Sequence, residues 1–283
     1  MKLSYLLTGL IVGIVLGGPA ILRGEPTAGD FDKGNALMAT GNFEGALQAF
    51  AKAARSERSN QEYMQRFMIV RQAVMLRDML ADEKEPERWQ NVAQALHTFY
   101  LSEKVFSEAL SLGEQIHAKL KSADSATQLA ETQLAMDKAD AAVKVLGALE
   151  PEKITPATEA LHGIALARLG KLDQARKIGQ RIAPFEGDSP GTLYSLARLQ
   201  AAVGNRIEAT GLLVRAFEGI PPSQLEGFKI HAKQSPEFAA MVTTDTFALA
   251  LETASKVPES KCSSGSSCAG CPMRGDCPSG EEK

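Results

Sequence analysis

Three observations predict an all-α array of antiparallel helix pairs for this 283-residue sequence. First, alanines at 142, 175 and 209 recur at intervals of 33 and 34 residues. Their surroundings recur too: Gly170-Lys171-Leu172-Asp173-Gln174-Ala175 returns as Gly204-Asn205-Arg206-Ile207-Glu208-Ala209, and stands much earlier as Gly41-Asn42-Phe43-Glu44-Gly45-Ala46. Second, twelve residues before an anchor alanine come Gly34, Ala130, Gly163 and Ala197, all small, where two helices must approach closely. Third, aromatics make up only 6% of the chain and no long alternating Val/Ile/Thr stretch follows the first 25 residues, which favours closely packed helices over sheets. A period in this range means stacked supersecondary units that bury their apolar faces on one another rather than one closed core.

The chain opens on Leu3–Leu22, twenty residues without a charge, preceded by the amino terminus and Lys2. At 1.5 Å per residue a helix of that length spans about 30 Å, the thickness of a bilayer's hydrocarbon core. Residues 1–23 are therefore read as a transmembrane anchor, the alternative being a secretory signal cleaved near Gly18 and Ala20. The run exceeds the usual signal core, which favours the anchor. Gly9, Gly13 and Gly17 stand four apart on one helix face, a spacing that admits a second transmembrane helix and implies a homo-oligomer through that face. Positive charge at the extreme amino terminus places the rest of the chain on the exported side, periplasmic or extracellular, and signal cleavage would instead give a secreted protein.

Residues 24–30 read as a linker containing Gly24, Pro26 and Gly29. A repeat domain over 31–257 follows. Phe50, Leu146 and Leu213 supply bulk four residues after an anchor alanine, and Ala53, Ile116, Leu149, Ile182 and Ala216 stand seven after. A further unit sits on Ala109, with His97 at its small position and Gly113 at its bulky one. Each unit reads as a helix, a tight turn carrying glycine or aspartate, and a second helix. Ala46 and Ala109 are too close for two regular periods, so the second unit is expected to be irregular: one long amphipathic helix over Tyr63–Asp82, interrupted by Pro86 before Trp89 begins the next. Past Pro221-Pro222, Leu225–Lys256 is expected to cap the stack, with Ser235-Pro236-Glu237 starting a helix.

These positions resemble the tetratricopeptide repeat family over roughly 30–220, in five units. The likeness lies in the period and in the small, alanine and bulky positions. The family's early tryptophan is missing from every unit, and its closing proline is matched only by Pro221. The resemblance implies a right-handed superhelix whose first helices line a concave groove that grips a peptide or helix. Positions eleven and fifteen before each anchor alanine share that face, and Asn35, Tyr194 and Arg198 are its partner-binding candidates. No repeated lysine and asparagine clamp for a carboxylate is present.

Composition and spacing exclude other classes. With 31 basic and 34 acidic residues the formal net charge is −3, and no basic stripe interleaved with aromatics supports nucleic-acid binding. The histidines, His97, His117, His162 and His231, fall in separate units without a nucleophile or H-E-x-x-H motif, and no glycine-rich phosphate loop is present. The chain is expected not to be an enzyme.

Residues 258–283 change to a Ser/Gly/Pro/Cys composition and hold all four cysteines, Cys262, Cys268, Cys271 and Cys277. Four thiolates around a central C-x-x-C fit zinc or an iron–sulfur cluster; in an exported chain they equally fit two disulfides, and Cys268 with Cys271 alone fits a redox pair. The functional expectation is a membrane-tethered scaffold for protein–protein interaction or complex assembly. Its alternative is a metal-binding or redox assembly factor that works through the cysteine tail.

Overall fold

The computed structural model describes residues 28–182 and 188–258. Among the described residues there are thirteen α-helices, two 3-10 turns and no strand. Helices α1 (Ala28–Ala39) and α2 (Phe43–Ser56) form the first pair, and α3 (Gln61–Asp82) stands alone. The next pairs are α4 (Pro86–Ser102) with α5 (Phe106–Leu120), α6 (Ala123–Ala135) with α7 (Ala139–Gly147), and α8 (Pro156–Arg168) with α9 (Leu172–Arg181). The last are α10 (Pro190–Ala202) with α11 (Arg206–Gly219), after which α12 (Pro222–Gln234), a 3-10 turn at Pro236–Phe238 and α13 (Asp245–Leu251) close the stack. Each helix packs on the next through α11, and the first helices α6, α8 and α10 also pack side by side.

The predicted register is the packing register. All five anchor alanines, 46, 109, 142, 175 and 209, are fully buried. The small position is a true close approach: a Cβ on Gly34 would stand 2.7 Å from the Phe50 ring, and one on Gly163 the same distance from Leu199 Cδ1. The turns repeat as well. Five residues before each anchor alanine, the backbone enters the left-handed region at Gly41, Lys104, Asp137, Gly170 and Gly204. The next residue's N–H then donates back to a carbonyl five residues upstream, as in Asn42 to Leu37 at 2.9 Å and Asn205 to Gln200 at 2.8 Å. This is the Schellman closure, which satisfies the carbonyls left free at a helix end. First helices start from side-chain caps: Ser122, Thr155 and Ser189 accept from the N–H three residues on, with Pro156 and Pro190 in the first turn of α8 and α10.

The expected irregular second unit is the single helix α3, which packs between α2 and α4 without a second helix of its own. Apolar residues fall on all its sides rather than on one, so it is not the amphipathic helix its sequence predicts. Two hydrophobic cores result. One runs from Met38 to Ile116 and is rich in rings, with Phe43 stacked 5.4 Å from Tyr100. The other runs from Ala126 to Ala250. Between them the α4/α5–α6 joint is polar. Gln128 Nε2 donates to His97 Nδ1 (2.8 Å), which leaves Nε2–H of His97 to donate to Thr132 Oγ1 (3.0 Å). His97 fills the space that Gly113 vacates: a Cβ on Gly113 would stand 3.2 Å from its ring. The exchange of small and bulky positions in this unit is thus a volume swap, and burial pushes the His97 imidazole down to about 4.

Candidate functional site: the inner face of the first helices

Glu131, Ile164 and Arg198 occupy the same register position on α6, α8 and α10. Arg198 Nη1 nonetheless reaches Glu131 Oε1 at 2.5 Å, over the buried Ile164 of the helix between them. Side chains two helices apart meet only where the helix row curves toward them, so this is the inner face of the array. Arg198 Nε also contacts Glu237 Oε2 at 3.2 Å, and Glu237 Oε1 accepts from Arg168 Nε at 2.7 Å. Arg168 Nη1 donates onward to the carbonyl of Leu134 at 2.6 Å, and Ser235 Oγ donates to the Glu237 carboxylate. Four separate parts of the chain, α6, α8, α10 and the Pro236–Phe238 turn, are tied through one carboxylate and its two arginines.

The electrostatics match. Burial opposes ionisation of Glu237, but Arg198 and Arg168 outweigh it and hold the carboxyl at about 2. Burial likewise opposes the charge of Arg198, and Glu131 and Glu237 outweigh it, raising the guanidinium further above its ordinary value. Beside them the Tyr194 hydroxyl is hydrogen-bonded to His231 Nδ1 at 2.6 Å, with Phe228 edge-on to its ring at 5.1 Å. Burial pushes the Tyr194 phenol upward, so the hydroxyl stays protonated.

Two of the three predicted contact residues are therefore interior. Tyr194 is 5% exposed and Arg198 3%, and their polar groups are engaged by Ser235–Phe238 and α12. The chain returns over the inner face after α12 and fills it, so neither side chain is free to meet a partner in this arrangement. The expected helix start at Ser235-Pro236-Glu237 is corrected for the same reason. Ser235 turns its hydroxyl to the Glu237 carboxylate instead of capping, and the segment makes only a 3-10 turn. Glu237 escapes a reading of the sequence because nothing in its neighbourhood marks it. Glu131 and Arg198 do carry a signal, being opposite charges at one register position two periods apart.

Asn35 remains half-exposed on α1, where its Oδ1 lies 3.4 Å from Arg66 Nη2; the same guanidinium pairs with Glu103 at 2.8 Å. Farther along this face Gln94 and Thr127 are half-buried and Thr98 exposed. On α4 the inner face thus stays open at Thr98, whereas on α1 it is engaged by α3, where Phe31 stacks on Tyr63 at 4.6 Å and Asn35 meets Arg66. Leu3–Leu22 and Cys262, Cys268, Cys271 and Cys277 lie outside the described residues. Among the described residues, no helix is long and apolar enough to cross a membrane and no group of three or more His, Cys, Asp or Glu could hold a metal.

No protein-family model matches the chain, and no curated protein matches it. Among solved structures it is similar to a thermophilic TPR protein of Thermus thermophilus, at 17% identity and a TM-score of 0.39, over 74% of this chain and 97% of that one. The packing of the chain's own helices establishes an all-α, solenoid-like array of stacked pairs.

Proposed function

We propose that this chain is a scaffold that holds a protein partner on the exported side of a membrane, tethered through Leu3–Leu22. The observation that supports the reading is the contrast along the inner face. Helices α8 and α10 already hold a short segment of the chain itself, Ser235–Phe238, by side chains projecting from neighbouring first helices. The equivalent positions on α4 leave Thr98 exposed and Gln94 half-buried, and Asn35 on α1 is half-exposed beside Arg66. A surface built in this way suits a short peptide segment or a helix edge of a client. Photo-crosslinkers placed at Thr98 and at Arg198 test it: a client should be captured from 98 and not from 198. Equal capture from both, or from neither, counts against the groove. For the tether, the protein should stay with membranes after an alkaline wash and begin at Met1 on amino-terminal sequencing. A chain starting after residue 20 would make it a secreted scaffold. Self-association through Gly9, Gly13 and Gly17 should fail in Gly13→Leu.

The four-cysteine tail favours a second reading, an assembly factor that binds zinc or an iron–sulfur cluster and recruits its client through the repeats. Stoichiometric metal in the purified chain, lost together in Cys268→Ser and Cys271→Ser, is its expected signature. A metal-free tail with two disulfides would end the metal version.

A further inference from the structure

Helix α3 carries Met64, Met68, Met75 and Met79, four of the nine methionines in the chain. Their exposures are 43, 50, 53 and 46%, whereas Met38 and Met241 are buried in the two cores. The four form two pairs, Met64 with Met68 and Met75 with Met79. Within each pair the residues stand four apart, one helical turn, on the same outward face. Leucine would serve equally well at an outward apolar position of a helix. What methionine adds is a thioether, a soft and polarisable sulfur at the end of a side chain with three rotatable bonds.

We propose that these pairs are two binding sites for copper(I), each ion held between two thioether sulfurs. Thioethers select soft ions of this kind, whereas magnesium and calcium take oxygen ligands and zinc takes thiolate, imidazole or carboxylate. The spacing fits. Side chains one turn apart have Cβ atoms about 5–6 Å from each other. Two sulfurs sharing one ion, with bonds of about 2.3 Å, stand at most roughly 4.6 Å apart. Two flexible methionines reach that separation without any movement of the helix backbone. The two pairs differ in their electrostatics. Met79 opens onto a pocket of about 370 Å³ lined otherwise by Asp78, Asp82, Glu83 and Arg88. Arg88 pairs with Glu83 at 3.3 Å, and no ion pair engages Asp78 or Asp82 among the described residues. Asp82 shares the face of Met75 and Met79, seven and three residues farther on. Helix α3 also ends at Asp82, where the negative end of its dipole favours a cation. Met64 lies instead in the first turn, at the positive end. Met75 with Met79 is therefore the tighter site. The assignment rests on α3 alone and needs neither the tether nor the cysteine tail.

The test uses the full chain in detergent, with the four tail cysteines changed to serine so that no thiolate competes. Silver(I) serves as the redox-stable probe, and isotope-labelled methionine methyl groups report its binding by NMR. The first equivalent should shift the methyls of Met75 and Met79 and the second those of Met64 and Met68, while buried Met38 and Met241 stay in place. Copper(I), delivered from a chelator under anaerobic reducing conditions, should fill the sites in the same order. Met75→Leu combined with Met79→Leu keeps the helix and its apolar line but removes both sulfurs. Affinity at the tighter site should then fall roughly tenfold or more, with helicity unchanged. Asp82→Asn should weaken that site severalfold and leave Met64 with Met68 unaltered. Zinc at the same concentration should shift none of the four methyls. A zinc shift at Met75 and Met79 equal to that of silver(I) would assign the ion to the carboxylates and overturn the thioether pair. Methyls that move only in large excess of silver(I) would overturn the proposal. So would a Met75→Leu/Met79→Leu chain that binds silver(I) as tightly as the parent.

Discussion

The helix pairs on either side of the α5–α6 joint share one register and finish their inner faces differently. In the C-terminal half the chain folds back after α12, and Glu237 ties α8 and α10 together, with Arg198 extending the tie to α6. In the N-terminal half the comparable tie is Arg66 between Asn35 and Glu103, in partly exposed surroundings, and the methionines of α3 face outward. The same repeat thus yields one half that is internally occupied and one that keeps open surface. Stability can therefore differ between the halves, because a solenoid unit depends mainly on its neighbours.

The largest effect that would break this contrast comes from Glu237→Gln. The substitution leaves the buried Arg198 without one of its two carboxylates and Arg168 without the carboxylate it pairs with. Removing one member of a buried ion network costs about 3–5 kcal/mol. Denaturant unfolding monitored in each half should show the loss in the C-terminal transition, with Trp89 fluorescence reporting an N-terminal transition that barely moves. A uniform loss would mean that the halves are not energetically distinct.

Acid should separate the halves by window. Glu237 is held at about 2 against an ordinary 4.5, so its contribution is complete above roughly pH 4.5 and drains as pH falls toward 2. His97 is pushed down to about 4 from 6.5, so the fold favours its neutral form. Its contribution is complete above about pH 6.5 and is lost as pH falls through 4. Each shift amounts to about 3 kcal/mol at most. Acidification should therefore loosen the joint before the ionic tie, and hydrogen exchange at α4–α6 should rise between about pH 6 and 4 while α8 and α10 stay protected. The reverse order would refute this assignment.

How far this contrast is legible in the sequence depends on the kind of contact. The anchor alanines, the small residues at Gly34 and Gly163 and the turns at Gly41, Gly170 and Gly204 are set by sterics at fixed spacing, so the period exposes them. Even the break at α3 is visible, because 63 residues between Ala46 and Ala109 do not hold two units. Tyr194 and Arg198 fall on the right face with the wrong neighbour. Register tells which way a side chain points, not whether a later segment comes back to cover it. The methionines of α3 stay unread for a related reason: an apolar residue looks the same in sequence whether it faces the core or solvent.

The volume swap at the joint gives a smaller effect with a sharper signature. His97→Ala restores the small position found in the other units but opens a cavity, because Gly113 supplies no bulk; a loss of about 2 kcal/mol is expected. Gly113→Leu alone collides with the His97 ring, 3.2 Å from where its Cβ would stand. Combined, they recreate the arrangement of Ala197 with Leu213 or Ala130 with Leu146, and most of both losses should be recovered. Strictly additive losses in the double-mutant cycle would show that His97 is held for its hydrogen bonds to Gln128 and Thr132 rather than for its volume.

The smallest effect tests whether the turns are one motif in both halves. Lys104 and Asp137 adopt φ of 58° where three other units place glycine. Left-handed backbone costs a residue with a Cβ roughly 1–2 kcal/mol, and less for Asp, whose short polar side chain can hydrogen-bond locally. Lys104 has no such compensation, so Lys104→Gly should stabilise the N-terminal half by about 1 kcal/mol, part of the strain relief being offset by the greater freedom of glycine in the unfolded chain. Asp137→Gly should change the C-terminal half by less. Thermal unfolding of the two variants gives the comparison. If Asp137→Gly gained more than Lys104→Gly, the five turns could not be ranked by backbone strain alone, and the side chain of Lys104 would have to be contributing to the joint itself.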